Sequence, residues 1–185
     1  MSLPLDLEAA LAAFALGTPL EGMHLHELDL RGHDLSKANL RGARLSRCNL
    51  SGARLAGLDL AGVDLLDCDL ADADLSNAKL AATRVLMGSM SRARLAGADL
   101  ARARFGQVDL RGADLSGAAV HAVAFLGSDL SGATLAGARL EDVRLDLCKL
   151  ERANLEGAEL RGTTATRADL RAANLRGATL VKVAA

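Results

Sequence analysis

Residues 38–60 read ANLRGARLSRCNLSGARLAGLDL, and the same five-residue rhythm fills most of the chain. From Leu25 to Leu180 every fifth residue is apolar, and 26 of these 32 central positions are Leu, so one side-chain environment recurs once per pentad. The residue two places earlier is small, most often Ala, and the residue between them is usually Asp, Asn or Arg. No insertion or deletion breaks this period, which is typical of a repeat architecture.

A period of five fits neither regular secondary structure. A step of five residues advances roughly 140° around an α-helix, so the leucines would scatter over the whole cylinder. On a flat strand an odd step moves the side chain to the opposite face each time. The chain must therefore turn a corner once per pentad. The small residue and the Leu then point inward, and the residue between them points outward.

The glycines and the outward charges predict how the corners are arranged. Fifteen of the 18 glycines lie two residues after a central position, which in a type II turn needs a positive φ that Gly adopts freely. Outward residues twenty apart alternate in charge, as in Asp34, Arg54 and Asp74. Such alternation favours coils of twenty residues stacked about 4.8 Å apart. We therefore predict an all-β, four-sided parallel β-helix with about eight coils.

The clearest runs of the repeat are ANLRGARL at 38–45, ADLSNAKL at 73–80 and ANLEGAEL at 153–160. These A-(D/N)-L-x-x units resemble the pentapeptide-repeat family, and the resemblance implies a right-handed quadrilateral β-helix. The chain is also loosely similar to the members that imitate DNA, bind bacterial DNA gyrase and topoisomerase IV, and protect them from poisons such as quinolones. It departs from those members in having no projecting loop, no C-terminal dimerising helix and a net charge near zero.

The N-terminus changes period and predicts a short helix. Leu7, Leu11 and Phe14 recur at helical spacing, Asp6 is placed as the N-cap, and Gly17 lies past the end. Such a helix would cover the first coil, which would otherwise expose a sheet edge and leucines.

The C-terminus offers no comparable cap. Its end, which contains Val181 and Val183, is a candidate homodimer contact, and fraying is the alternative. The predicted organisation is a capping segment at 1–20, the repeat domain at 21–180 and a C-terminal tail at 181–185.

Composition excludes several classes of function. The net charge is −1 with 24% charged residues, so no global field attracts nucleic acid or an acidic membrane. The chain also lacks Trp and Tyr, the side chains that usually stack on bases or sugars. Asp6 and Glu8 lie where a secretory signal needs positive charge. We expect a soluble cytoplasmic protein that binds neither nucleic acid nor membrane directly.

All three cysteines occupy the small inward position and are twenty residues, or a multiple of twenty, apart. This placement predicts reduced core residues rather than metal ligands, because no set of four converging ligands accompanies them. They are Cys48, Cys68 and Cys148.

The histidines supply the one cluster that could hold a metal. His24 and His26 flank an inward Leu25, and His33 is nearby, whereas His121 stands alone on a corner. We predict no metal, no cofactor and no catalytic residue, because a rod of stacked coils has no concave pocket in which side chains converge. The protein is therefore not expected to be an enzyme.

The stretch KLAATRVLMGSMSRARLAG at 79–97 keeps the repeat frame but carries apolar residues on its outside. Leu86 and Met87 take corner positions that elsewhere hold Ser, Arg, Ala or Gly, and other apolar residues recur at the same corner. A line of apolar side chains at one corner of a solenoid with a mostly charged surface predicts a contact surface. The alternative is that these are ordinary, singly exposed leucines. We call these residues the apolar edge: Leu66, Leu86, Met87, Leu126 and Leu147.

A second surface feature is a column of outward acidic residues twenty apart. Asp109 and Asp129 are its only adjacent carboxylates, and like charges at that spacing cost stability, so their retention hints that negative charge is wanted. The alternative is a solvated Asp/Asn position typical of the repeat. The column predicts a DNA-like face for gyrase, whereas the apolar edge predicts a scaffold for another protein. We call the predicted contact residues the acidic column: Asp69, Asp109, Asp129 and Asp169.

Overall fold

A single short helix leads into a stack of parallel strands in the computed structural model, which describes residues 5–184. The helix α1 spans Leu7–Leu16, and each strand is three residues long. The strands in chain order are β1 His24–His26, β2 Arg44–Ser46, β3 Asp64–Leu66, β4 Arg84–Leu86, β5 Arg104–Gly106, β6 Ala119–His121, β7 Ala124–Leu126, β8 Arg139–Glu141, β9 Glu159–Arg161 and β10 Thr179–Val181.

The strands form two parallel sheets in which every partner lies twenty residues away. One sheet has the order β1-β2-β3-β4-β5-β7 and the other β10-β9-β8-β6. The other two sides of each coil pair through isolated parallel bridges, such as Asp34↔Arg54 and Asp69↔Ser89. The predicted fold is confirmed as a four-sided parallel β-solenoid of about eight turns. The predicted charge alternation also pairs, because Arg54 lies 3.0 Å from Asp34 and Arg94 lies 3.0 Å from Asp74.

The core is filled by the central Leu column and by the small inward residues. Leu115 and Ala113, for example, are both fully buried. Where an inward residue carries a hydroxyl, it donates to a carbonyl of the preceding coil: Thr83 Oγ1 reaches Leu60 O at 2.8 Å. Among residues 5–184 no buried side-chain nitrogen or oxygen lacks a hydrogen-bond partner, so the polar core positions cost little.

The corner residue two places after a central position adopts a left-handed backbone at every corner from Glu27 to Lys182 except Lys37. Gly97 has a φ of +68° there, as the glycine pattern predicts. Seventeen non-glycine residues have a positive φ as well, among them Met87 at +57° and Leu147 at +62°. The fold therefore imposes this conformation on the position, and a side chain there is retained at a steric cost that Gly avoids.

The Asp or Asn between the two inward residues caps the next corner. Asp109 Oδ1 accepts a hydrogen bond from the backbone N–H of Arg111 at 3.0 Å, and Asn49 Oδ1 accepts one from Ser51 at 3.1 Å. The same contact, two residues forward, recurs around the solenoid. It is an Asx turn, which explains why Asp and Asn dominate this outward position.

The helix α1 covers the first coil as predicted, and Leu11 and Phe14 of its predicted apolar face pack against the core. Asp6 is the N-cap and accepts a hydrogen bond from Ala9 N at 2.8 Å, and Gly17 ends the helix with a φ of +63°. Ala10 and Phe14 are buried, but Leu7 is 37% exposed, so the expected position of Leu7 on the buried face is wrong. No helix in the described part of the chain is long and apolar enough to cross a membrane.

The C-terminal coil is open. Its backbone continues through Ala184, which pairs with Thr164, so the predicted tail from position 181 is part of the last coil as far as 184. Nothing in the described chain packs beneath this coil, and Leu180 is 55% exposed and Leu175 38% exposed. These are central positions that every earlier coil buries.

Candidate interaction surfaces

The apolar edge runs along the corner at the ends of strands β3, β4 and β7. Leu66, Met87, Leu126 and Leu147 are exposed by 41%, 56%, 40% and 57%. Leu86 is half-buried because it packs in register between Leu66 and Gly106. The structure therefore brings all five predicted residues to one corner of the rod, four of them as exposed side chains.

These side chains enclose a hollow rather than a flat patch. Gly106 and Gly127 have no side chains to fill the corner between Leu86, Met87 and Leu126, with Leu147 at the far end. The resulting hollow has a volume of about 420 Å³. It is open to solvent and lined mainly by apolar atoms, the composition of a surface that excludes water when covered.

A row of arginines runs parallel to the apolar edge on the same side of the solenoid, in the column two residues earlier; β4 carries a member of both, Arg84 and Leu86. Arg44 and Arg84 share one carboxylate, Asp64, at 3.8 and 3.3 Å. Arg84 and Arg104 pair directly in the sheet with no acidic residue between them. Further along, Arg144 lies 3.4 Å from Asp146. We call Arg44, Arg84, Arg104 and Arg144 the arginine row.

The acidic column lies on the neighbouring side of the solenoid and has the predicted register. Asp109 bridges Asp129, and Asp69 and Asp169 lie in the same ladder. Arginine two residues ahead neutralises part of it: Arg111 binds both carboxylate oxygens of Asp109 at 2.9 and 2.6 Å. This hydrogen-bonded guanidinium holds the pKa of Asp109 below its ordinary value.

The other members of the acidic column differ in how they are neutralised. Asp169 is bound by Arg171 at 2.7 Å, and this hydrogen bond likewise lowers the pKa of Asp169. Asp129 lies 3.6 Å from Lys149, and its Oδ1 accepts from the hydroxyl of Ser131 at 2.6 Å. Asp69 caps its turn through Ala71 N at 2.9 Å and has no ion pair within the described chain.

Both turn capping and arginine clamping give the acidic column a structural role that the repeat pattern did not reveal. A sequence signal for the clamp exists: the tripeptide DLR occurs at 29–31, 109–111 and 169–171, and in each the arginine folds back on the aspartate. The adjacency of Asp109 and Asp129 is thus relieved by Arg111 and Lys149, each bonded to one carboxylate.

The histidines lie in three separate settings, and the predicted trio does not form. His24 Nε2 and His26 Nδ1 both lie within hydrogen-bond distance of Ser46 Oγ, at 2.7 and 2.8 Å, whereas His33 Nδ1 contacts the carbonyl of Arg31. His121, predicted to stand alone, lies 3.4 Å from Glu141. With Asp142 it forms the one group of three potential metal ligands among residues 5–184, and all three are exposed.

The cysteines are core residues, as predicted. Cys48, Cys68 and Cys148 are buried free thiols. The Cys148 thiol donates to the carbonyl of Phe125 in the preceding coil. Burial raises the pKa of Cys148 to about 11, which keeps the unreactive thiol form at neutral pH.

The fold and the repeat chemistry together place the chain in a known family. The family model for pentapeptide repeats matches in eight copies, over residues 17–52, 48–84, 89–123, 121–152 and 148–183. The chain belongs to the pentapeptide-repeat family. A search of curated proteins found no match.

Two solved structures show what the chain is similar to. HetL, a pentapeptide repeat protein involved in heterocyst differentiation regulation from the cyanobacterium Nostoc sp. strain PCC 7120, is 32% identical with a TM-score of 0.66, and the match covers 97% of this chain and 94% of HetL. QnrB1, a plasmid-mediated fluoroquinolone resistance protein, is 17% identical with a TM-score of 0.50, covering 85% of this chain and 93% of QnrB1. The second likeness is one of fold alone.

Proposed function

We propose that this protein is a non-enzymatic scaffold that binds a protein partner through the apolar edge. The observation that carries the proposal is the hollow of about 420 Å³ between Leu86, Met87, Leu126 and Leu147. It lies on a rod whose other outward positions are mostly charged or polar. An apolar hollow rimmed by charged residues is typical of a protein contact, and covering it removes apolar area from water.

The backbone at the apolar edge supports this proposal independently. Met87 and Leu147 hold left-handed φ values of +57° and +62°, yet both side chains are more than half exposed. They contribute little to the core, and Gly at either position would remove the steric cost. Large apolar side chains retained at an unfavourable and exposed position are better explained by contact with a partner than by folding.

Site-directed photo-crosslinking tests the scaffold proposal. A photo-reactive residue at Met87 is expected to give a defined protein adduct in a lysate of the source cells. The matched control is the same residue at Ala82, which has an identical φ of +57° on another corner. The Met87 adduct should disappear when Leu126→Lys and Leu147→Lys are added, with the thermal transition retained. Equal adducts from both positions would contradict the proposal.

A second candidate is binding of a bacterial type II topoisomerase, such as DNA gyrase, by the acidic column acting as a DNA mimic. The observation in its favour is the direct pairing of Asp109 with Asp129 across adjacent coils; the fold similarity to QnrB1 is consistent with it. Against it, Arg111 and Arg171 neutralise two of the four carboxylates. A continuous negative face, which a DNA mimic needs, is therefore interrupted.

The topoisomerase candidate has a direct test. Gyrase supercoiling is measured with and without a fluoroquinolone in the presence of the protein, and then with the double variant Asp109→Asn, Asp129→Asn. Protection that weakens in the double variant, with binding that depends less steeply on salt, would support the mimic. If the wild type does not bind gyrase even at low salt, the topoisomerase candidate is wrong and the scaffold proposal is the one that remains.

We also propose that two copies associate through the open C-terminal coil. Leu175, Leu180 and Val181 are exposed there by 38%, 55% and 39%. Leu175 and Leu180 are the bottom surface of a core that continues through every earlier coil, and Val181 is the corner residue beside Leu180. A second copy offers the same apolar surface in self-complementary form.

A further inference from the structure

The side of the solenoid that carries β1 to β5 and β7 has two parallel rows of different chemistry. Arg44, Arg84 and Arg104 occupy the first position of β2, β4 and β5, and Arg144 continues the same column as the bridge partner of Ala124. Leu66, Leu86 and Leu126 occupy the third position of β3, β4 and β7. Residues two apart on a strand lie on the same face and about 6.7 Å apart, and successive positions of one column are about 4.8 Å apart along the axis. Asp64 and Ala124 interrupt the arginine column and Gly106 interrupts the leucine column, so Arg104 and Arg144 are two coils apart, as are Leu86 and Leu126. A ligand on this side therefore meets one charged and one apolar stripe.

The charged stripe has an excess of positive charge. Two carboxylates, Asp64 and Asp146, face the four guanidinium groups of the arginine row. Arg104 makes no ion pair within 4.0 Å among residues 5–184 and lies directly beside Arg84. Like charges in adjacent rungs are unfavourable, so anionic groups from a partner would relieve a repulsion that the free protein carries.

A hollow joins the two stripes at the middle of the rod. Its volume is about 390 Å³, and Gly106 and Ala124 form its floor because they have little or no side chain. The apolar walls are Leu86 and Leu126, and Arg104 and Arg144 reach over it from the other row. One apolar side chain could enter this space while carboxylates beside it meet the two arginines.

We infer that this side binds an acidic amphipathic helix of a partner protein, laid along the axis of the rod. The inference rests on the proposed scaffold function and names its partner class. On a helix, side chains three and four residues apart lie on one face and follow each other at roughly 5 to 6 Å. A helix with an apolar stripe flanked by glutamates or aspartates can therefore contact the leucines and the arginines at once. The two repeats also agree, because the helical pitch of about 5.4 Å is close to the spacing of about 4.8 Å between coils.

Other occupants fit less well. An extended strand turns alternate side chains away, so it cannot present two parallel stripes to the same surface. A second copy of this chain would bring the arginine row against itself in a two-fold contact. Nucleic acid would meet the arginines, but its backbone has no apolar groups for Leu86 and Leu126.

The test uses the full chain and three labelled peptides of about 15 residues, read by fluorescence anisotropy. The first carries leucines at helical spacing flanked by glutamates. The second has lysine in place of glutamate. The third is the first peptide with one central residue replaced by proline, which prevents a continuous helix. We expect the first to bind and the other two to bind at least about tenfold more weakly.

Variants of the protein locate the contact. Arg104→Glu is expected to weaken the acidic peptide at least about tenfold and to strengthen the lysine peptide. Arg139→Glu, the same charge change on β8 in the other sheet, is the matched control and should change neither. Circular dichroism and the thermal transition verify that both variants fold.

Several outcomes would overturn the inference. The first is that the proline-containing or the lysine peptide binds as tightly as the acidic helical peptide. The second is that Arg104→Glu does not change the affinity for the acidic peptide. The third is that the protein binds a DNA duplex and that Arg104→Glu abolishes this binding. Failure of the acidic-helix inference can be distinguished from failure of the scaffold proposal. If a partner crosslinks at Met87 and the acidic peptide does not displace it, the scaffold proposal is retained and the acidic-helix inference is wrong.

Discussion

Phe105 and Phe125 stack inside the solenoid with ring centroids 4.9 Å apart and planes inclined by 12°. They occupy a central column that holds Leu or Val in the preceding coils, and they lie directly behind the hollow floored by Gly106 and Ala124. Both rings are buried. The two largest fully buried side chains therefore lie behind Gly106 and Ala124, the residues with little or no side chain at the surface.

This stack predicts a graded response to substitution. Phe125→Leu restores the residue that most coils use and should lower the free energy of unfolding by about 1 kcal/mol. Phe125→Ala leaves a cavity in a column with no means of collapse and should cost about 3 to 5 kcal/mol. Denaturant unfolding of both variants gives the two values. Similar losses for the two would show that the ring volume is not what the column requires.

The left-handed corners predict that stability and binding separate at the apolar edge. Met87→Gly and Leu147→Gly remove strained side chains and should each raise the free energy of unfolding by up to about 1 kcal/mol. Ala82→Gly, with the same φ as Met87, is the control for backbone relief alone. With the photo-reactive residue placed at Leu126 instead of Met87, the first two variants should lose the partner adduct, whereas Ala82→Gly should keep it. Destabilisation by Met87→Gly would mean that its side chain supports the fold.

The Asp109–Arg111 clamp predicts a loss of stability in acid. The clamp depresses the pKa of Asp109 in the folded state relative to the unfolded chain. Its stabilisation is therefore fully present above the unfolded value near pH 4 and is lost as the pH falls through the folded value. The pair is partly exposed, so we expect at most about 1 kcal/mol.

Measurement of the free energy of unfolding between pH 2 and pH 7 checks this. Asp109→Asn should flatten the acid limb of the profile and still cap its turn, since Asn49 does so. Asp69→Asn, which removes a turn-capping carboxylate that has no arginine partner in the described chain, controls for the charge change. A wild-type and an Asp109→Asn profile that coincide would rule out the clamp as a stabilising contact.

The buried thiol of Cys148 predicts chemical inertness of this residue in the native state. Burial raises the pKa of Cys148 to about 11, so almost no thiolate is present at neutral pH. A thiol reagent such as DTNB should modify Cys148 only on unfolding, with a rate that follows the unfolding equilibrium. Cys148→Ala, which places the commonest inward residue there, provides the background. Rapid modification of Cys148 in the native protein would contradict its burial.

The open C-terminal coil predicts a concentration-dependent dimer. Leu180→Lys places a charge at the centre of the exposed apolar end and should give monomers by light scattering at concentrations where the wild type is dimeric. Leu66→Lys, on the apolar edge, is the matched control and should leave the dimer intact. A monomeric wild type at high concentration would remove the proposed end-to-end contact.

The period of five was sufficient for the fold because each consequence of it is local. An inward Leu, a left-handed corner and an outward Asp recur with the same geometry in every coil, so a count along the chain places Leu66 beside Leu86 correctly. The helix was placed correctly for the same reason, since Asp6 and Gly17 are local caps.

The surface chemistry was less predictable, because it depends on side-chain conformation rather than on position. The count places Asp109 beside Asp129 but does not show that Arg111 folds back to bind Asp109. Likewise it treats His121 as isolated, although Glu141 of the next coil lies 3.4 Å away. Long flexible side chains choose among several partners within reach, and their choice is settled by packing that a repeat pattern does not contain.

The uniform coil also makes the rod a molecular ruler. Met87 and Leu147 stand sixty residues, or three coils, apart on the same corner, a separation of about 14 Å along the axis. Because the coils do not vary in length, that separation changes only in whole rungs, when twenty residues are gained or lost. A partner that grips both ends of the apolar edge is therefore selected by length as well as by chemistry.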